Sequence, residues 1–151
     1  MSNNYAQSTF APQIPKHLIS NEDRLVLEAF NVTLEPVGED RLYLYAGESC
    51  TSALLDLADG GIKEMDEDDL HALLQKIIRR SNGEITWISQ ETAFTNDKMR
   101  ADEFGGAAVF ITADDVQWTG TSSWLQQRIA EVETGDSGPG AEDDNVITKN
   151  N

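Results

Sequence analysis

Leu70, Leu73, Leu74, Ile77 and Ile78 recur at the i, i+3, i+4, i+7, i+8 spacing that gathers apolar side chains on one face of an α-helix. The flanks agree: Asp66 to Asp69 place carboxylates at the positive end of the helix dipole, Arg79 and Arg80 place cations at the negative end, and Gly83 can supply a left-handed stop. This is the clearest element in the chain. A shorter helix is predicted over "SNEDRLVLEAF", where the Ser20 hydroxyl caps the start and Asp23, three residues on, completes a capping-box arrangement.

A period of two replaces the period of 3.6 in "NVTLEPVGEDRLYLYAG", which reads as a hairpin turning at Gly38, Glu39 and Asp40. Leu42 and Leu44 point to one face there, and Tyr43 and Tyr45 to the other. Pro36 makes the first strand an edge or ends it early. "EITWISQETAF" is rich in β-branched and aromatic residues and "GGAAVFIT" is nearly continuous apolar, so two central strands are predicted, joined by residues 95–105. Thr112 and Asp115 offer a capping pair, and "TSSWLQQRIAEVE" a last helix with Ser123 and Gln126 as its capping box and Ile129 and Val132 in its apolar stripe. Residues 46–65 are ambiguous, with "TSALLDLAD" compatible with a turn or two of helix.

The expected fold is therefore α+β: a mostly antiparallel, four-stranded sheet with three main helices packed on it. Residues 1–19, polar and interrupted by Pro12 and Pro15, read as an extended or flexible arm whose Phe10, Ile14 and Leu18 could dock on the domain. Residues 20–133 form the domain. Residues 134–151 lack a core-forming pattern and read as a disordered acidic tail.

Charge changes this picture more than any motif does. Against 11 Lys and Arg stand 27 Asp and Glu, a net charge of −16, and the acids are spread from Glu22 to Asp144 rather than confined to the tail, while residues 1–19 carry +1. Such a field repels phosphate backbones and anionic membranes and attracts basic protein surfaces. Neither direct nucleic-acid binding nor membrane association is expected. The lone Cys50 cannot close an internal disulfide and suits a reducing compartment, so the expected location is cytoplasmic.

Candidate chemistry is sparse. "LLDLADGGIKEMDEDD" approximates a calcium loop, but with Gly60 at the sixth position the first and third ligands are Leu55 and Leu57, which cannot coordinate the ion. His17 and His71 are far apart with no partner at ligand spacing, and His71 reads as a surface residue of the strong helix. "GESCTS" offers Ser49 and Cys50 without a nucleophile-elbow motif. No catalytic residue, metal or cofactor is expected. Trp87, Trp118 and Trp124 read as core, Trp118 being the best candidate for exposure.

Two surfaces remain as candidate contacts. One is acidic: Glu64, Asp66, Glu67, Asp68 and Asp69, with Asp114 and Asp115. The other is the loop carrying Lys98, Met99, Arg100 and Phe104, which pairs cations with large apolar side chains. The leading expectation is a small, non-catalytic interaction protein that binds a basic surface, such as that of a nucleic-acid-handling protein, as an inhibitor imitating nucleic acid in the manner of phages and mobile elements. The alternative is a small enzyme or small-molecule-binding domain with a pocket near Trp118–Trp124. A third reading is a homodimer formed through a strand edge or the last helix.

Overall fold

The computed structural model describes residues 4–100 and 103–135. The chain divides into two compact units, Met1–Thr119 and Gly120–Asn151. The fold is α+β, with three helices and a mostly antiparallel sheet.

The first unit opens with β1 (Asn4–Ala11), β2 (Ile14–Pro15) and a single 3-10 turn (Lys16–Leu18). Then come α1 (Asn21–Ala29), β3 (Val32–Val37), β4 (Arg41–Ala46), β5 (Ser52–Asp56), β6 (Ile62–Asp66), α2 (Glu67–Arg80), β7 (Ile88–Asn96), β8 (Gly105–Ile111) and β9 (Val116–Gly120). Seven strands make the main sheet in the order β2-β4-β1-β7-β8-β9, with β3 on the other side of β4. β5 and β6 form a separate two-stranded sheet. The sheet is thus larger than the four strands expected, because β1, β2 and β9, three elements without a strong period of two, joined it.

The largest difference lies at the N-terminus. Residues 4–11, part of the stretch read as an arm, supply a strand inside the sheet, paired with β7 from Asn4↔Asn96 to Ala11↔Ser89 and with β4 at Ser8↔Ala46 and Thr9↔Tyr45. Phe10, Ile14 and Leu18 are all buried. "NYAQSTFA" alternates small and polar side chains with one large apolar residue, too little to announce a central strand.

Alternation then sets the layers. Ser8 and Phe10, Leu42, Leu44 and Ala46, Ile88 and Gln90, and Ile111 turn inward, where Leu27 and Phe30 of the α1 segment and Leu70, Leu73, Leu74, Ile77 and Ile78 of α2 complete one core. Tyr43, Tyr45, Glu91 and Phe110 lie on the opposite, less covered face. Residues 46–65 build the β5–β6 hairpin rather than helix; Ala53, Leu55 and Met65 face the core while Leu54 and Ile62 face outward.

The helix ends follow the sequence closely. Ser20 accepts from the Asp23 N–H at 3.0 Å and Asp23 accepts from the Ser20 N–H at 3.0 Å. Asp66 caps α2 in the same reciprocal way with Asp69. Arg80, at the far end of α2, donates to the Asp23 carboxylate at 2.6 Å and to the Leu18 carbonyl at 2.6 Å, tying α2 to α1 and to the turn before it. Burial alone would raise the Asp23 pKa, but the hydrogen bonds from Arg80 and Ser20 and the Arg80 charge outweigh it and hold the carboxyl below its ordinary value.

The second unit is described through Gly135 and carries α3 (Thr121–Thr134). It starts at an N-cap Gly120 with no side-chain cap, three residues before the expected Ser123 cap, and stops at Gly135, whose φ of 73° supplies the left-handed turn. None of its residues is buried; Trp124, Leu125, Ile129 and Val132 are all exposed. Arg128 lies 5.3 Å from the centre of the Trp124 ring and pairs with Glu131 at 2.8 Å. The tail expected from residue 136 onward lies outside the described residues.

Two measurements test this account. Phe10→Ala should cost about 3–5 kcal/mol in chemical denaturation, the range for emptying a packed aromatic site, whereas a residue of an accessory arm would cost almost nothing. The Asp23 contribution is present above the unfolded carboxylate pKa and is lost as pH falls through the lower, folded value. Asp23→Asn should therefore flatten the acid limb of the stability profile, and an unchanged limb would remove Asp23 from the account.

Candidate functional site

The acidic residues separate into two groups. Glu64 and Asp66 alternate on the outer face of β6, opposite Leu54 and Ser52 of β5, and Asp56 sits on that face opposite Ile62. Carboxylates two apart on a strand stand ~6.6 Å from each other. The row continues into Glu67, Asp68 and Asp69 at the start of α2, all exposed. Leu54 and Ile62, 64% and 62% exposed, interrupt the acids with apolar surface.

Not all of these carboxylates are equally free. Asp66 Oδ1 accepts from the N–H of Asp68 at 3.1 Å and of Asp69 at 3.3 Å, and Asp69 Oδ2 accepts from the Asp66 N–H at 3.0 Å. These two cap the helix. Asp56 and Glu64, on the strands, have no duty at the helix end, so they are the side chains to alter without disturbing α2.

Asp114 and Asp115 are not part of this group. The Thr112 N–H donates to the Asp115 carbonyl at 2.9 Å and closes a two-residue turn between β8 and β9, at the Thr112 and Asp115 read as a capping pair. Gln75 and Arg79, one turn apart in the second half of α2, donate to the carbonyls of Thr112 and Ala113 and hold that turn beside the helix. The two acidic groups therefore sit at opposite ends of α2, separated by its cations Lys76, Arg79 and Arg80.

The basic loop is organised by Asn96, which is buried. Its Oδ1 accepts from the Lys98 N–H at 2.7 Å, and its Nδ2 donates to Asn4 Oδ1 at 2.6 Å and to Glu103 Oε1. Met99 follows with φ of 55° and is 77% exposed, pushed outward by a conformation that methionine seldom adopts. Lys98 is exposed, Arg100 approaches Glu103 at 4.0 Å, and Phe104 is partly exposed beside the first residue of β8. Residues 101 and 102 lie outside the description. The loop thus presents Lys98, Met99 and Arg100 on a base fixed by Asn96.

The residues considered for nucleophilic chemistry do not form a catalytic pair. Cys50 is buried, and its Sγ lies 3.3 Å from Gln90 Nε2 and 3.8 Å from Ser8 Oγ, which in turn lies 2.7 Å from Thr92 Oγ1. Burial pushes the thiol pKa up, and the nearby Glu67 charge adds to it, beyond what the bonds from Ser8 and Gln90 offset. Ser49 is exposed and its hydroxyl meets Thr51 at 3.2 Å. His71 is 8% exposed, not a surface residue, and its Nε2 has no hydrogen-bond partner. Its i+3 and i+7 neighbours are Leu74 and Ile78, which carries it to the flank of the buried stripe.

Trp118 stands on β9, the last strand of the sheet, and is 69% exposed. Ser89, Glu91, Ala108, Phe110, Gln117 and Thr119 line a shallow groove of about 360 Å³ beside it, and Trp87 stacks on Phe110 at 5.9 Å. None of the three tryptophans is core. Among the described residues no group of three or more His, Cys, Asp and Glu is placed to hold a metal, and no helix is long and apolar enough to cross a membrane.

Compared with known proteins, the chain matches no family model, no curated protein and no solved structure.

The buried thiol generates its own test. Cys50 should resist a thiol-specific reagent in native buffer and react quickly in denaturant, the ratio of rates tracking global stability; rapid labelling of the native chain would show an open, nucleophilic thiol.

Proposed function

We propose that this is a non-catalytic interaction protein that binds a basic protein surface through the outer face of β5–β6 and the start of α2. The partner class is a nucleic-acid-handling protein, whose cationic cleft the carboxylates occupy in place of phosphates, which makes the chain an inhibitor of phage or mobile-element type. The observation that supports this reading is the interleaving of Asp56, Glu64, Asp66 and Asp68 with exposed Leu54 and Ile62 on adjoining elements. Carboxylates that serve solubility alone need no apolar neighbours, whereas interfaces combine a desolvated apolar centre with a charged rim. The 98–104 loop serves as a second contact, with Met99 as its apolar point.

A second reading draws on the groove beside Phe110 and Trp118, where two aromatic rings and Glu91 offer a seat for a small molecule. Its shallowness places it second, and among the described residues no nucleophile is paired with a base beside it.

The full chain, tagged and immobilised, should capture a basic nucleic-acid-binding protein from extract of its native cell in about 0.05 M salt and release it in about 0.5 M salt, where screening is nearly complete beyond 3–5 Å. Competing DNA should also release it. Asp56→Lys with Glu64→Lys should weaken capture about tenfold, the scale of two reversed surface charges, with the thermal midpoint nearly unchanged. Capture that withstands salt, DNA and both substitutions would overturn the reading. Lys98→Ala with Arg100→Ala should likewise weaken association at constant stability; a falling thermal midpoint would instead make them structural.

A further inference from the structure

The two outer strands of the main sheet are finished differently. β3 carries Glu35 and Pro36, both exposed, the devices that keep a sheet edge from recruiting another strand. β9 reads VQWTG, with neither charge nor proline, and among the described residues it ends the strand order with nothing paired beyond it. The absence of charge runs on through Gln127, in a chain of net charge −16.

The register of the β8–β9 turn decides what that edge offers. With Thr112 bonded to Asp115, the odd-numbered residues Asp115, Gln117 and Thr119 turn their backbone groups toward β8. Val116, Trp118 and Gly120 then present N–H and C=O outward. In an antiparallel ladder, pairs that exchange both hydrogen bonds alternate along the strand, so these three positions form one unbroken set.

We propose that β9 pairs antiparallel with β9 of a second copy of this chain, about a two-fold axis passing through Trp118. In that register Trp118 faces Trp118 of the copy, and Val116 faces Gly120 of the copy, so every outward backbone group on each strand meets a partner. Charge selects the occupant. Two copies repel wherever their carboxylates face each other, and the segment from Val116 onward is where they can approach without opposing charges. A basic partner, by contrast, gains nothing from a neutral edge. The large, half-free indoles meeting across the axis supply apolar burial beyond the hydrogen bonds, in a pair type that stabilises cross-strand contacts. This interface does not depend on the acidic surface or on its partner.

Sedimentation equilibrium of the full chain distinguishes the two kinds of association by the sign of their salt dependence. A dimer of acidic copies, of twice the 16.7 kDa chain mass, should tighten about tenfold between about 0.05 M and about 0.5 M salt as repulsion is screened. Trp118→Pro removes an outward N–H that β8 does not use, so it should weaken the dimer at least tenfold with little change in thermal midpoint. Trp118→Asp sets two carboxylates against each other across the axis, and its dimer should be weakest at low salt and recover partly at high salt. A wild-type chain that is monomeric at both salts, whatever else it captures along β9, overturns the proposal. So does a dimer that both Trp118 variants leave intact, or one that Ile129→Glu with Val132→Glu alone dissociates, since that interface would be the α3 face.

Discussion

The eight residue pairs between β1 and β7 hold the main sheet together. On one side β1 meets β4 and so carries β3; on the other, β7 carries β8 and β9. Without this seam the sheet becomes two small groups of strands, below the size that stands alone in water. The seam is also where the core is least apolar. Ser8, Gln90, Thr92 and Cys50 meet along it, and Gln90 donates to Ser8 Oγ at 3.2 Å across 82 residues of sequence. Hydrogen bonds between partners so distant in the chain fix register, since a one-residue slip would send Ser8 and Phe10 to the other face.

A second economy concerns the acids. Asp66 and Asp69 satisfy helix-end N–H groups, so part of the negative charge at the start of α2 is explained by local structure alone. Asp56 and Glu64 are not, and neither are Leu54 and Ile62 beside them. The same division applies to the basic loop, where Asn96 builds the turn and leaves Lys98, Met99 and Arg100 outside it. In both places a few buried or capping residues carry the structure while their neighbours present chemistry.

What could be read in the sequence followed strength of period. The α2 stripe, the Ser20–Asp23 capping box and the β3–β4 hairpin were legible because spacing and end residues agreed, whereas the box expected at Ser123 and Gln126 did not form because α3 begins earlier, at Gly120. β1 was not, because its partners lie in β4 and β7 and its own residues are small and polar; only Phe10 hinted at a core position. The β5–β6 hairpin was hidden by Leu54 and Leu55, adjacent apolar residues that alternate faces in the strand and leave one leucine in solvent. β9 was hidden by the turn at Thr112–Asp115, whose Asp residues resemble a helix start. The acidic candidates were named from the sequence one by one, but their separation into two groups depends on how α2 holds the β8–β9 turn, which no local pattern encodes.

The β5–β6 hairpin is joined to the rest of its unit through one face only, that of Ala53, Leu55 and Met65. Apart from Asp66, which caps α2, its outer residues Leu54, Asp56, Ile62 and Glu64 are exposed, so their identity is only loosely tied to folding. These outward positions can therefore drift in sequence faster than the strands that bear them, which the inward Ala53, Leu55 and Met65 hold in place.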